Sequence, residues 1–371
     1  MARAARSSTF GSVIRARPTR AAAPPPTLER ARRRAGSGRL LGWAQAALVL
    51  LALVPVGCGQ PDSGADEPLT SRAPRDVSLA LDFTPNAVHA GVYTAQRGRL
   101  DRPRGVALRL RPPTNSSDSL RTLTSGRADL AIVDIHDLGL ARERGEDVIG
   151  VGAIVQRPLA AIIARDPVRR PRDLEGRRVG VTGLPSDDAV LRSVVEADGG
   201  DPAKVRKVTI GFTAVPNLVA GKLDAAIGFW NAEGVALREA GVRNRQFRVD
   251  DFGAPRYPEL VLAATRETLE TKRELIQGTV AALAAGTEAA LRDPEPAIKQ
   301  IARASEANAA TVRAEFEAVR PALSPPLRLD PAVIRQWAAF DKRFGILRRP
   351  DPRAGFDFSV APAAARADPG R

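Results

Sequence analysis

The sequence contains very little of the residues on which several common kinds of protein chemistry depend. Among 371 residues there is one cysteine, Cys58, and there are two histidines, His89 and His136. Because Cys58 lies near the start, the rest of the chain can form no disulfide, cysteine-ligated metal site or thiol nucleophile. A zinc site would need more ligands than two imidazoles supply.

The chain also lacks the features of a nucleic-acid groove, although its formal charge is +14. Residues 1–57 hold ten Arg and one Glu, a net charge of +9 that leaves +5 for the remainder. Aromatic residues make up 4% of the chain, and no basic run is interleaved with them. We therefore expect no nucleic-acid partner.

Common catalytic signatures are missing as well. The sequence contains no G-x-S-x-G, Walker loop or H-E-x-x-H, and no complete G-x-G-x-x-G. These absences favour a binding protein over an enzyme, and we expect neither a resident cofactor nor a metal.

What is present begins with an uncharged apolar run over residues 40–56, which follows several arginines. This pattern predicts a secretory signal; an uncleaved membrane anchor is the alternative, since seventeen residues is the lower limit for a span. Cys58 follows directly and resembles a lipoprotein acylation site, although Pro55 stands where Leu is typical. We expect a signal peptide with a basic leader at 1–57 and a flexible tether at 58–75.

The remaining chain alternates strand-like and helix-like patterns, and it is long enough for two lobes. A charged, proline-bearing stretch from Arg165 indicates a crossing between them. The predicted organisation is α/β, with a mainly parallel sheet in each lobe and a ligand cleft between the lobes. Its segments are a first lobe at 76–164, a second lobe at 165–258, a return to the first lobe at 259–349, and a disordered tail at 350–371.

The stretch 77–95 predicts a strand, a short turn and a helix. The turn lies at the carboxyl end of the strand, where open α/β sheets bind ligands, and it carries Asp82, Phe83, Asn86 and His89. The alternative interpretation is structural: Phe83 belongs to the core and Asn86 caps the helix. His89 either donates to a ligand or satisfies a backbone carbonyl.

Three further strand ends carry polar or aromatic residues. They include Ser117, then Ser186 with two following aspartates, then Trp230, Asn231 and Glu233. Ser186 is a good N-cap residue, and carboxylates at two helix starts disfavour an anionic ligand, because they already occupy the positive end of the helix. Trp230 is suited to stacking on a flat ligand, with a core position as the alternative.

The turn sequence DFTPNAVHAGVY resembles the D-W-x-P-N-x-x-H-x-G-x-Y signature of the NMT1/THI5-like family. The stretches VQRPLAAI, GLPSDDAVL, GFWNAEG and GAPRYPELVL extend the likeness over the globular chain, with Phe83 where Trp is usual. The resemblance implies a type II, periplasmic-binding-protein-like clamshell that captures a thiamine pyrimidine precursor for an ABC importer. It also implies an exported monomer that docks on the permease subunits of the importer. A lipid anchor at Cys58 would hold this monomer at the membrane.

The resemblance further implies a ligand ring held against Phe83 and Trp230. Its amino and ring-nitrogen groups would meet Glu233, Asn86 and Asn231. The other candidate contacts are Asp82, His89, Ser117, Ser186 and Tyr257. Two alternatives remain: the same fold binding sulfonate, nitrate or another small solute, and a pyrimidine-synthase-like enzyme. The enzyme relatives carry a cysteine-rich motif that this chain cannot supply.

Overall fold

The computed structural model describes residues 73–115, 117–184 and 186–361, in which ten strands form two five-stranded sheets. The first sheet contains β1 (Arg75–Ala80), β2 (Val106–Arg111), β3 (Leu130–Asp134), β4 (Val148–Ala153) and β10 (Leu260–Thr265), in the order β2-β1-β3-β10-β4. The second contains β5 (Ala160–Arg165), β6 (Arg178–Val181), β7 (Arg206–Thr209), β8 (Ala225–Phe229) and β9 (Asn244–Arg248), in the order β7-β6-β8-β5-β9.

The two sheets share one topology, and both are mixed. Three neighbouring strands in each sheet are parallel, whereas β10 in the first and β5 in the second run antiparallel to both neighbours. The predicted two-lobed α/β architecture is confirmed. The sheets are less uniformly parallel than predicted, because in each one the strand that enters from the other lobe is inserted antiparallel.

Eleven α-helices flank the sheets within the described residues. They are α1 (Ala90–Arg97), α2 (Asp118–Thr124), α3 (Ile135–Glu143), α4 (Asp187–Ala197), α5 (Ala214–Val219), α6 (Glu233–Glu239), α7 (Arg266–Thr271), α8 (Arg273–Arg292), α9 (Glu295–Ser305), α10 (Ala309–Val319) and α11 (Pro331–Arg343). None of the described helices has both the length and the hydrophobicity needed to cross a bilayer. The predicted signal, tether and Cys58 lie outside the described residues.

The chain passes between the sheets twice, through residues 154–159 and 249–259. The first crossing was predicted near Arg165, and that position is wrong: β5, which ends at Arg165, already pairs with β8 and β9 of the second sheet. The apolar run of β5 is equally compatible with either sheet, so only the long-range pairing decides its lobe. The return strand β10 joins the first sheet, as predicted.

Close packing of α1 against α8 fixes the position of the turn after β1. A Cβ on Gly91 would come within 2.1 Å of Thr287 Oγ1, and one on Gly286 within 2.1 Å of the Gly91 carbonyl oxygen. Both positions therefore require glycine if the helices are to keep this separation. In β1 itself, Val77 and Leu79 are fully buried, in agreement with the alternation that predicted the strand.

The predicted disordered tail is partly ordered. Phe356 and Val360 are buried, and Gly150 of the edge strand β4 exchanges backbone hydrogen bonds with Gly355 and Asp357, each at 2.9 Å. A Cβ on Gly150 would lie 2.5 Å from the Phe356 ring. The proline- and arginine-rich composition concealed two apolar anchors, and residues 362–371 lie outside the described part.

Candidate functional site

A cavity of about 500 Å³ lies between the two sheets, at the carboxyl ends of β1, β3, β6 and β8. This volume is within the range usual for small-molecule sites. The aromatic side chains that line it are Phe83, Phe212 and Phe229. The carboxyl side chains that line it are Asp82, Asp134, Asp137, Glu146, Asp187, Glu233 and Glu259. Both lobes therefore contribute aromatic and acidic groups.

The turn after β1 presents Asp82 to the cavity through a chain of hydrogen bonds. The backbone N–H of Asn86 donates to His89 Nδ1 at 3.1 Å, so the ring proton is placed on Nε2. His89 Nε2 then donates to Asp82 Oδ1 at 2.9 Å. The His89 ring is fully buried and does not line the cavity, and its Nε2–H donates to a carboxylate and not to a backbone carbonyl. It orients Asp82.

Asn86 caps the start of a helical turn, which was the alternative to a role in ligand binding. Its Oδ1 accepts the N–H of Val88 at 3.0 Å, and its Nδ2 donates to the Thr84 carbonyl at 3.0 Å. These bonds cap the short 3₁₀ turn that leads into α1. Asn86 is buried and is not among the residues that line the cavity.

Phe83 lines the cavity and meets a residue that the sequence did not single out. Its ring packs against that of Phe212, with centroids 4.2 Å apart at an interplanar angle of 60°. Phe83 follows β1 of the first lobe and Phe212 follows β7 of the second. The pair therefore bridges the lobes beside the cavity, in the edge-on geometry that aromatic rings favour.

Glu233 begins α6 and is brought into the cavity, as predicted. Its Oε2 accepts the backbone N–H of Phe229 at 2.8 Å. Burial raises the pKa of Glu233, and the negative charge of Asp82 from the other lobe raises it further. The hydrogen bond from the Phe229 N–H acts in the opposite direction and lowers the pKa of Glu233. Glu233 and Asp82 thus share one electrostatic environment across the cleft.

Trp230 and Asn231 do not occupy their predicted positions in the cavity. The Trp230 Nε1–H donates to the Pro158 carbonyl at 3.0 Å, and the Arg248 guanidinium lies 4.2 Å from its ring centroid. The indole therefore packs on the first crossing segment, and a cation covers its face. Asn231 is fully buried, and its amide has no hydrogen-bond partner among the described residues.

Ser186 lines the cavity but does not cap α4 with its side chain. Asp187 instead accepts the N–H groups of Gly183 and Leu184, at 2.8 and 3.1 Å, and the Thr182 hydroxyl at 3.1 Å. The predicted serine cap is wrong because the Ser186 backbone is already helical, at φ −64° and ψ −26°, and its hydroxyl donates to Asp137 instead. Ser117, which precedes α2, also lines the cavity.

Asp134, Asp137 and Glu259, here called the acidic cluster, line the cavity and were not predicted. Asp134 caps α3 and hydrogen-bonds the Glu259 carboxyl. Burial, together with Glu259, raises the pKa of Asp134 to about 8. Burial and Asp134 also raise the pKa of Asp137 well above its ordinary value, although His136 and the Ser186 hydroxyl oppose this. Burial of both carboxyl groups therefore favours a proton shared by Asp134 and Glu259.

His136 lies behind the acidic cluster in a buried network. Its Nδ1 is 2.8 Å from Asp341 Oδ1, and its Nε2 is 3.0 Å from the Tyr257 hydroxyl. Burial alone would lower the pKa of His136, but Asp341, Asp134 and Glu259 together raise it to about 10. Tyr257, which the sequence analysis named as a candidate contact, is fully buried and is not among the residues that line the cavity.

A metal is the other occupant that this geometry suggests. Ligand atoms of Asp134, His136 and Glu259 lie within 4.8 Å of one another. Metal binding requires a neutral imidazole with a free nitrogen, whereas both nitrogens of His136 have partners and its raised pKa keeps it protonated. These residues do not fit a metal site.

Position at a strand end is the signal that could have identified three of the missed residues. Asp134 is the last residue of the otherwise apolar strand β3, and Glu259 directly precedes the return strand. Phe212 follows β7. All three lie at strand ends on the same edge of the sheets. Open α/β sheets bind ligands at this edge, where the carboxyl ends of the parallel strands meet.

The charge of the lining is strongly acidic. Two arginines line the cavity beside its seven carboxyl side chains, and each pairs with a neighbouring acid. Arg121 lies 3.1 Å from Asp118, and Arg144 lies 3.1 Å from Glu146. Among the described lining residues, no cation is left to meet an anionic ligand.

Residues 86–297 match the NMT1/THI5-like family. A formylaminopyrimidine-binding protein of Halalkalibacterium halodurans is 31% identical over 67% of this chain and 76% of its own. A 4-amino-5-hydroxymethyl-2-methylpyrimidine phosphate synthase of Legionella pneumophila is 23% identical over 62% of this chain and 73% of its own.

Solved structures show the same fold. The alkanesulfonate-binding protein SsuA of Xanthomonas axonopodis pv. citri, bound to MOPS, superposes with a TM-score of 0.62 at 20% identity. The superposition covers 76% of this chain and 96% of that protein. The match over residues 86–297 and the 31% identical relative establish that this chain belongs to the NMT1/THI5-like family.

Proposed function

We propose that this protein is an exported solute-binding protein of an ABC importer that captures an aminopyrimidine precursor of thiamine, or a similar flat heterocycle, between its lobes. The observation that carries the proposal is the cavity between the sheets, which combines three phenylalanines with a strongly acidic lining. A flat ring with amino substituents needs apolar faces and hydrogen-bond acceptors. The formylaminopyrimidine-binding relative supports the same ligand class.

Within that cavity the proposed contacts differ from those expected of the sequence alone. Phe83, Phe212 and Phe229 supply the apolar faces, and Glu233 with Asp82 accepts the amino and ring N–H groups. Trp230 supports the first crossing, since its Nε1 bonds to Pro158 there. Asn86, His89 and Tyr257 support the site from behind.

An anionic solute is the main competing ligand, because an alkanesulfonate-binding protein shares the fold. Charge argues against it. A sulfonate would enter a cavity lined by seven carboxyl side chains, and both lining arginines already pair with acids. The N–H groups before α4, which could otherwise hold an anion, donate to Asp187.

Enzymatic synthesis of a pyrimidine is the other competing function, because phosphate synthases are among the relatives. We propose binding without catalysis. The resemblance ties the synthase activity to a cysteine-rich motif, and the one cysteine of this chain is Cys58, before the globular part. His89 does not line the cavity, so it is not placed to act on a bound ligand.

The cellular setting follows from the sequence and the family. The apolar run at 40–56 is proposed to direct export, and acylated Cys58 to hold the protein on the outer face of a membrane. A monomer tethered in this way would deliver its ligand to the permease subunits of the importer.

Calorimetry with 4-amino-5-hydroxymethyl-2-methylpyrimidine tests the proposal. Glu233→Gln places an amide donor opposite a ligand donor, which costs about 1–3 kcal/mol, or roughly 5- to 150-fold in affinity. Asp101→Asn is the control: Asp101 is also buried, its Oδ2 accepts the Leu108 N–H at 2.9 Å, and it does not line the cavity. Micromolar or tighter binding that only Glu233→Gln weakens is expected. Absence of binding, or equal losses in both variants, would refute the assignment.

A further inference from the structure

The acidic cluster of Asp134, Asp137 and Glu259 contains carboxylate oxygens that the protein leaves without donors. Glu259 is fully buried and Asp137 is 8% exposed. Among the described residues, no N–H or hydroxyl group donates to Oδ1 of Asp137 or to Oε1 of Glu259, although the Glu259 carboxyl shares a hydrogen bond with Asp134. Both side chains line the cavity. Because buried acceptors without donors are costly, their position indicates a donor that comes from the ligand.

The charged groups around the acidic cluster do not neutralise its negative charge. His136 contributes one positive charge, which is already opposed by Asp341 at 2.8 Å. Asp187 of α4 faces Asp137 from the second lobe and adds negative charge, while the Ser186 hydroxyl donates to Asp137. Three carboxyl groups of the cluster therefore face the cavity with no further cation beside them in the described contacts, and the bound proton shared by Asp134 and Glu259 is what reduces their repulsion.

We infer that the acidic cluster is a subsite for an ammonium group, so that the preferred ligand is a heterocycle with a protonated aminomethyl arm and not its neutral alcohol or formamide. The inference rests on the proposed function, since it assigns the second end of the same ligand. An alkylammonium presents three N–H donors and one positive charge, so it can donate to Asp137 and take the place of the proton that Asp134 and Glu259 share. Asp82 of the first lobe and Glu233 of the second lobe bind the ring at the other end of the ligand.

A divalent metal is the competing occupant of the cluster. His136, the nitrogen ligand it would require, uses Nδ1 for Asp341 and Nε2 for Tyr257. An ammonium needs no ligand nitrogen and can be met by carboxylates alone. The geometry therefore favours the organic cation, and a chelator separates the two cases.

The test compares two ligands that differ in one group: 4-amino-5-aminomethyl-2-methylpyrimidine, and the 5-hydroxymethyl compound. Calorimetry on the full chain at pH 7 is expected to show the amine bound at least about tenfold more tightly, since hydrogen bonds to charged groups exceed neutral ones. In Asp137→Asn the affinity for the amine should fall about tenfold, whereas that for the alcohol should change less than about threefold. Glu233→Gln should weaken both ligands alike, because both carry the same ring.

A second measurement uses the wild-type protein and so does not depend on the folding of a variant. Binding of the amine should release up to about one proton, seen as different heats in buffers of different ionisation enthalpy, because the ammonium displaces the proton held by Asp134 and Glu259. The alcohol should release none. EDTA should change neither result.

The outcomes separate the two proposals. If neither pyrimidine binds, the proposed function falls and the subsite falls with it. If both bind with equal affinity and without proton release, the aminopyrimidine function stands and the ammonium subsite is overturned. Loss of amine binding in EDTA would overturn it in favour of a metal.

Discussion

The buried pair of His136 and Asp341 allows a prediction about stability whose size can be worked from the structure. Asp341 of α11 is fully buried and His136 of α3 is 1% exposed, and His136 Nδ1 lies 2.8 and 2.9 Å from the two carboxylate oxygens. Asp341→Asn removes the charge opposite a buried imidazolium. Breaking one side of such a pair costs about 3–5 kcal/mol.

Thermal unfolding measures this cost. At about 2–4 °C per kcal/mol for a domain of this order of size, Tm should fall by on the order of 10 °C. Glu288→Gln is the matched control, because Glu288 pairs with Arg292 at the same 2.8 Å on a surface where both side chains are more than 60% exposed. Its Tm should stay nearly unchanged.

The dependence on pH supplies an independent check. Neighbouring acids raise the pKa of His136 from 6.5 to about 10. A raised imidazole pKa gives a contribution to the free energy of unfolding that is complete below pH 6.5 and is lost as the pH rises through about 10. The difference in stability between wild type and Asp341→Asn should therefore narrow between pH 7 and pH 10. If Asp341→Asn destabilises no more than Glu288→Gln, or if its effect is independent of pH, the buried ion pair is not as described.

Three further predictions concern the proposed clamshell and its location. Phe212→Ala should weaken aminopyrimidine binding, measured by calorimetry, by roughly 2- to 10-fold, since an aromatic pair is worth about 0.5–1.5 kcal/mol beyond burial. The control is Phe252→Ala, because the Phe252 ring pairs with Phe247 away from the cavity. Equal effects of the two substitutions would contradict the role of Phe212. Ligand should reduce the radius of gyration in solution scattering, and no change at saturation would argue against closure about two crossings. Cys58→Ser should release the protein from the membrane fraction, and retention there would favour an uncleaved helical anchor.

Local pattern was enough to predict the architecture and the edge of the sheets that carries the site. Alternation of apolar residues marks β1, and the polar turn after it places Asp82 and Phe83 in the cavity. The polar residues that follow β8 likewise located Glu233. These features depend on neighbours within a few positions, so a single sequence contains them.

The direction in which each strand-end side chain points could not be predicted in the same way. Trp230 and Glu233 lie three positions apart, yet the first packs on Pro158 and the second enters the cavity. The sequence allowed Asn86 either to cap a helix or to bind a ligand, and in the structure its Oδ1 caps the turn by accepting the Val88 N–H. The lobe to which β5 belongs depends on its pairing with β8, more than 60 residues away in sequence. Contacts of this kind are set by tertiary packing and leave no local signal.

Glu259 shows why the missed residues matter for motion as well as recognition. Its Oε2 accepts the N–H groups of Leu159 and Ala160, at 2.7 and 3.2 Å, and so links the second crossing to the first. Glu259 also lines the cavity, where no N–H or hydroxyl of the described residues donates to Oε1, and its carboxyl shares a hydrogen bond with Asp134 of the first lobe. Rotation of the lobes about the crossings must alter the geometry around this carboxyl, because both crossings meet at it. A ligand that changes the protonation or partners of Glu259 therefore acts on the hinge directly, without needing a longer path through the protein.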